Sequence, residues 1–426
     1  MKEYASMTKS EMEEIYSTLL ETYKERCKQG LKLDLSRGKP NSSQLDISQG
    51  LMNIDMSREN CFSKNGFDCR NYGLLDGLPE MRKFFADLFD LCEEDIIIGG
   101  NSSLQLMHGA LTRAMLYGVY GSERPWAKEE GLKWICVTPG YDRHFRITEL
   151  LGFELINVPM TEDGPDMDLV EEIVHDPKVK GIWCVPKYSN PTGNTYSDET
   201  VTRLASMKCA APDFRIMWDN AYGVHDFSED GDALLDILSE ADKYGNKDRV
   251  FYFSSTSKVT FPGGGVAMMA MSENNRRQVM PLLGAETIGF DKLNQLRHLK
   301  FFENAENAKK HMLNLGRIIK SKFDITLKSL SDLEGLGIAD WTVPKGGYFI
   351  SLDVIPGCAK RVYELMKEAG VTLTPVGATF PYGIDPDDKN LRLAPTYPSD
   401  DELKVASQLL VLCVKIASLE KLIDVA

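Results

Sequence analysis

From about residue 78 onward, short apolar runs alternate with helical or loop segments, and this alternation limits the fold more than any other feature. DIIIGG, KWICVTPG, FELINVP, VKGIWCVP, FRIMWDN, RVFYFSS and GVAMMAM are the apolar runs in question. Each has the length of a strand, and most are separated by helical or loop segments. That pattern predicts an α/β domain around a mainly parallel sheet. Strands apolar along their whole length fit a sheet covered on both faces. Ligands of such sheets bind at strand ends, so the residues that close each run carry the functional argument.

A chain of 426 residues with 43% hydrophobic content can bury a large core and suggests two or more domains. Residues 10 to 28 read as an amphipathic helix. A long helical stretch over 289 to 322 leads into GGYFISLD, a helix through RVYELMKEAG, the strands VTLTP and NLRLAPTY, and a last helix from Ser399. This half reads as a smaller α+β domain. The expected division is an N-terminal helix and segment over 1–50 that packs with the small domain, a large domain over 51–305, and the small domain over 306–426. The acidic stretch near 226 to 248 reads as a surface insertion.

The 49 basic and 63 acidic residues leave a formal charge of −14, which argues against nucleic acid as a partner. Nine scattered cysteines form no C-x-x-C pair and read as free thiols of a reducing compartment. Cys136 and Cys184, inside apolar runs, read as core. No H-E-x-x-H metal motif occurs, and no metal is expected. The N-terminus lacks an apolar signal core and no run approaches eighteen apolar residues, so the expected location is the cytoplasm.

The segment FYFSSTSKVTFPGGG, residues 251 to 265, ends a strand in Ser255, Thr256, Ser257 and Lys258 and then supplies three glycines. A lysine amine forms a Schiff base with a carbonyl. Hydroxyls and free amides hold phosphate. Pyridoxal phosphate asks for both. Asp219 closes FRIMWD, placed to keep a pyridinium nitrogen protonated, and Tyr222 and Asn190 (in YSNPTGN) are candidate donors to the ring's phenolic oxygen. GGNSS puts Asn101, Ser102 and Ser103 at a helix start, an anion site. Tyr141, in TPGYDRH, can stack on an aromatic ring, whereas His144 reads as structural. Arg392 lies in an otherwise apolar strand and wants a carboxylate. Taken singly, each has an ordinary alternative: a surface lysine, a turn aspartate, a packed tyrosine, a tight turn, a helix cap, an internal ion pair.

Together these residues resemble the fold-type I pyridoxal-phosphate aminotransferases, over nearly the whole chain and in the family's order. RGKP, YSNPTG, GGNSS and TSKVTFPGGGVA most resemble the type Ic aspartate aminotransferases, related to the MocR-type aminotransferase domains. The resemblance implies that Lys258 carries the cofactor and moves the substrate's Cα proton. It puts Tyr72, from NYGLLDGLPEMR, on the phosphate of a neighbouring subunit's cofactor, and so implies a homodimer with shared sites. Asn101, Ser102, Ser103, Ser255 and Ser257 fall on phosphate-cradling positions, and Gly38 and Arg392 lie beside the substrate α-carboxylate. One position departs: Val266 stands where many relatives carry a phosphate-binding Arg or Lys, and glycine amides and hydroxyls are the expected substitutes. No winged-helix segment is read ahead of the enzyme, which weighs against a MocR-like regulator.

The expected activity is transfer of an amino group from an L-amino acid, aspartate by preference, to 2-oxoglutarate. Alternatives on the same scaffold are an aromatic or 2-aminoadipate aminotransferase, a β-lyase, or a domain that senses pyridoxal phosphate without turnover. A dicarboxylic donor needs a second cation. Arg37, Lys39 and Arg143 are the candidates, Arg37 first because its planar fork grips a carboxylate with two bonds.

Overall fold

The computed structural model describes residues 3–425. Eight strands form the main sheet, in the order Ile96–Ile98, Ala267–Met271, Val250–Ser255, Arg215–Asp219, Val179–Cys184, Lys133–Thr138, Glu154–Thr161 and Gly164–Pro165. The pairings from Val250–Ser255 through Glu154–Thr161 are parallel. Ala267–Met271 runs antiparallel to both its neighbours. Val179–Cys184, Arg215–Asp219 and Ala267–Met271 are buried at every position, as suits their mainly apolar sequence, and the charged Lys180, Arg215 and Asp219 are buried with the rest. Cys136 and Cys184 are fully buried in these strands.

Parallel neighbours need crossovers, and helices such as Asp142–Leu150, Met167–Ile173 and Asp198–Ser206 supply them. Their starts are written in the sequence: Ser197 accepts from Thr200 N–H and Asp166 from Leu169 N–H. Because the parallel strands share one direction, their carboxyl ends gather Thr138, Cys184, Asp219 and Ser255 on one edge.

The second region has a three-stranded antiparallel sheet, Ala339–Trp341, Ile350–Val354 and Asn390–Leu393, in which Arg392 pairs with Ser351. Its helices are Ala305–Leu330, Ala359–Glu368 and Asp400–Val425. The helix Lys9–Cys27 packs on Asp400–Val425, with Tyr16 donating to Glu420 at 3.0 Å. The strand Leu33–Asp34 pairs in parallel with Val371–Thr372.

Two sequence expectations need correction. The acidic stretch 226–248 is not all surface. Its second half forms the helix Ile237–Lys243, capped by Asp236, with Ile237, Leu238 and Ala241 buried. Asp236 caps, Glu240 is buried and paired with Lys243, and three apolar residues enter the core. The long helix expected over 289–322 is broken in two, Lys292–Phe302 and Ala305–Leu330, because Glu303 turns to φ 65° and Asn304 starts a new helix by accepting from Asn307 N–H. Among the described residues no helix is long and apolar enough to cross a membrane.

Candidate active site

Lys258 follows the strand Val250–Ser255 on a short turn held from behind. Thr256 N–H donates to Val266 O at 2.8 Å, and Val266 N–H returns to Thr256 Oγ1 at 2.9 Å. His298 backs this turn: its Nε2 lies 3.3 Å from Thr256 Oγ1 and 3.0 Å from Thr260 Oγ1. Its Nδ1 faces Asn294 O at 2.9 Å, so that nitrogen carries the proton and Nε2 accepts. Burial pushes this imidazole down to about 4. Gly265 permits the close approach, since a Cβ there would stand 3.1 Å from Ser257 Cα and 3.2 Å from Asn101 O. The Lys258 ammonium sits over the Tyr222 ring, 4.7 Å from its centroid.

Asp219 ends the neighbouring strand in the same pocket and is 3% exposed. Its Oδ2 accepts from His144 Nε2 at 3.0 Å, while its Oδ1 has no hydrogen-bond partner among the described residues. A carboxylate only accepts, so Nε2 of His144 carries a proton. His144 is stacked on Trp183, with centroids 4.2 Å apart and planes 10° from parallel. The structural role expected of His144 takes a specific form here: it holds the aspartate, which the sequence spacing does not reveal.

Across the pocket the helix Ser103–Tyr117 begins. Ser102 is its N-cap residue, yet its side chain makes no capping bond, so the first-turn amides stay open toward the pocket beside the hydroxyls of Ser102 and Ser103. Ser255 and Ser257 line the same space, bonded to one another at 3.1 Å. Ser257 also donates to Asn101 O at 2.8 Å. Val266 is buried and brings no charge. Of the glycine amides expected to replace one, that of Gly264 is spent on Phe261 O at 3.0 Å. Hydroxyls and helix amides are what the pocket offers an anion.

Tyr141 and Tyr222 form the walls. Burial pushes the Tyr141 phenol up to about 12, and the Tyr222 phenol is raised by burial too. Both stay protonated near neutrality, able to donate. Asn190 lines the pocket, and its Oδ1 lies 3.4 Å from Arg392 Nη1. Arg392 donates from Nη1 to Asp142 Oδ1 at 2.9 Å and from Nε to Thr374 Oγ1 at 3.4 Å, with its guanidinium 5.1 Å from the Phe349 centroid. Gly38 presses on the same ring, where a Cβ would fall 2.2 Å from Phe349 Cζ, so only glycine fits. Thr374 and Phe349 are neighbours that sequence reasoning missed.

Some candidates lie apart from this cluster. Arg37 points to Asp34, Nε to Oδ2 at 3.3 Å, with its side chain 64% exposed. Lys39 sits over the Tyr397 ring at 4.1 Å. Arg143 is exposed. Tyr72 is 76% exposed and is not among the residues of its own chain that line this pocket.

A mainly parallel sheet that aims a lysine, a buried aspartate and an uncapped helix start into one pocket places the molecule in fold type I of the pyridoxal-phosphate enzymes, among the aminotransferases. A family model described as aspartate amino-transferase matches residues 7–425, and the chain belongs to that family. It is 44% identical over 429 residues to an aspartate aminotransferase of Corynebacterium glutamicum, covering 99% of each chain. A putative aminotransferase of Mycolicibacterium smegmatis is 47% identical over 396 residues, 92% of each. A solved aspartate transaminase structure from C. glutamicum superposes with a TM-score of 0.96, covering 98% of this chain and 99% of that one.

Proposed function

We propose that this protein moves the amino group of aspartate to 2-oxoglutarate, as a homodimer whose two sites each draw on both chains. The observation that carries the reading is the buried Asp219 Oδ1, left without a partner in the pocket that Lys258 enters. A buried carboxylate oxygen without a donor is costly, and a protonated ring nitrogen supplies one. The pocket fits pyridoxal phosphate at its other end too, where helix amides, Ser102, Ser103, Ser255 and Ser257 suit a phosphate. Aspartate as donor is supported by the aspartate aminotransferase of C. glutamicum and the solved aspartate transaminase structure from that organism, each matched over nearly the whole of this chain.

When bound, pyridoxal phosphate supplies a carbonyl that captures amines and a ring that accepts the electrons freed at the substrate Cα. Lys258 Nζ would hold the cofactor, release it to the incoming amine, and then take the Cα proton as general base. The Tyr222 ring beneath Nζ keeps that amine positioned. Asp219, steadied by His144, holds the ring proton. The phenols of Tyr141 and Tyr222 and the Asn190 amide wall the cofactor and exclude water. Arg392 takes the substrate α-carboxylate and so orients the Cα–H bond.

The test is chemical. Borohydride reduction of the loaded protein followed by peptide mapping should place the cofactor on Lys258. Lys258→Ala should lose the label and nearly all turnover, whereas a label on another lysine overturns the assignment. A donor screen with 2-oxoglutarate should rank aspartate first, and a preference for neutral or aromatic donors would remove the aspartate reading.

A further inference from the structure

Arg392 already has an anion. Its Nη1 donates to Asp142 Oδ1 at 2.9 Å, and the arginine side chain is only 10% exposed. Its other hydrogen-bond partners, Asn190 Oδ1 and Thr374 Oγ1, are neutral and lie at 3.4 Å. A guanidinium so far from water is costly without a counter-charge, and Asp142 provides it. Asp142 is also well placed to let go. It is the first residue of the helix Asp142–Leu150, where a carboxylate is favoured by the helix dipole. Its side chain is 35% exposed, so water can take over what the arginine leaves. It directly follows Tyr141, a wall of the pocket.

We propose that Asp142 is the resident counter-ion of Arg392 and sets how tightly the site holds an α-carboxylate. The proposal rests on the reading that Arg392 receives that carboxylate. An arriving substrate then exchanges one carboxylate for another, and the affinity measured is the difference between them. Asp142 keeps the guanidinium oriented between turnovers and weakens the grip on every α-carboxylate alike, product included. Because every amino acid presents the same group to Arg392, the effect carries no preference for the side chain.

Succinate, a carboxylate with no amine to react, is the probe. Calorimetric titration of the loaded protein should show Asp142→Asn binding succinate roughly tenfold tighter than wild type, the scale of one charge-assisted contact. Asp142→Glu, which keeps the competing charge, should stay close to wild type. Asp142→Ser keeps a polar helix start and covers the case in which the asparagine variant folds poorly. In kinetics, KM for aspartate and for alanine should fall by a similar factor. Unchanged or weaker succinate binding in Asp142→Asn and Asp142→Ser, with normal thermal melting, overturns the proposal. Arg392→Ala separates the two claims. If it abolishes succinate binding while the Asp142 variants gain nothing, only the role of Asp142 falls. If it leaves succinate binding intact, the carboxylate reading of Arg392 falls with it.

Discussion

Asp219 gives one oxygen to His144 at 3.0 Å and keeps the other unpartnered, so a single carboxylate faces both the protein and the pocket. The stacked Trp183 fixes the imidazole, and the imidazole fixes which oxygen is free.

Asp219→Asn keeps the shape but loses the charge opposite the ring nitrogen. Its kcat should fall roughly 10²–10³-fold, the scale of one lost preorganised electrostatic contact. Cofactor should remain bound through the phosphate end, as visible absorbance after gel filtration will show. His144→Asn should cost less, because the carboxylate survives and only its aim is loosened. Near-normal turnover in Asp219→Asn would rule out the pyridinium role.

Tyr72 is 76% exposed on its own chain, an unusual place for a large aromatic with a function. If it completes a neighbour's site, mixing Tyr72→Phe with Lys258→Ala subunits should generate dimers with one doubly damaged site and one intact site. Activity of the mixture should then exceed that of either parent. Verified mixed dimers without recovery would confine each site to one chain.

Arg37 is held only by an exposed 3.3 Å contact to Asp34, a pair of the kind worth little. On the proposed reading, which sets the substrate beside Gly38, it is free to turn toward the substrate side chain. Arg37→Ala should lower kcat/KM for aspartate and glutamate roughly 30-fold or more, as expected when a charge-assisted contact is lost. Alanine and phenylalanine should be nearly unaffected. Equal losses across the four donors would assign Arg37 to the fold.

His298 gives a pH signature. Burial lowers its folded value to about 4, against 6.5 for the free side chain. The unfolded chain therefore binds the extra proton first, and stability present above pH 6.5 drains away as the pH falls toward 4. His298→Gln should flatten that slope in denaturant titrations at stepped pH. A slope equal to wild type would show that other groups govern acid unfolding.

The strands were legible because burial on both faces leaves apolar cores, Ile216–Trp218 in Arg215–Asp219 and Val250–Phe253 in Val250–Ser255. Asp219 and Lys258 were legible for the same reason, as abrupt polar ends to those runs. What the pattern hides is contact at long range. Asp142 and Arg392 lie 250 positions apart, so the strand shows that Arg392 wants a carboxylate but nothing local says that Asp142 supplies one. His144 meets Asp219 across 75 positions, through a strand crossover that no local spacing encodes. The helix Ile237–Lys243 was hidden by its acids, whose capping role outweighs their number. Gly38 meets Phe349, whereas its sequence neighbours Arg37 and Lys39 lie against Asp34 and Tyr397, partners that the sequence pattern does not reveal.

The pairing of the helix Lys9–Cys27 with Asp400–Val425 has a consequence for how the molecule is born. Residues 9–27 leave the ribosome long before 400–425, by some tens of seconds at about 5–20 residues per second. Their docking face must wait through nearly the whole of synthesis, and so must Leu33–Asp34, whose partner strand is Val371–Thr372. The helix is suited to waiting: Met12 and Tyr23 are its only fully buried residues, and Thr8 and Glu11 cap its start reciprocally. A segment so polar can stay solvated beside a nascent chain without seeding aggregates, and it closes the fold only when the last helix emerges.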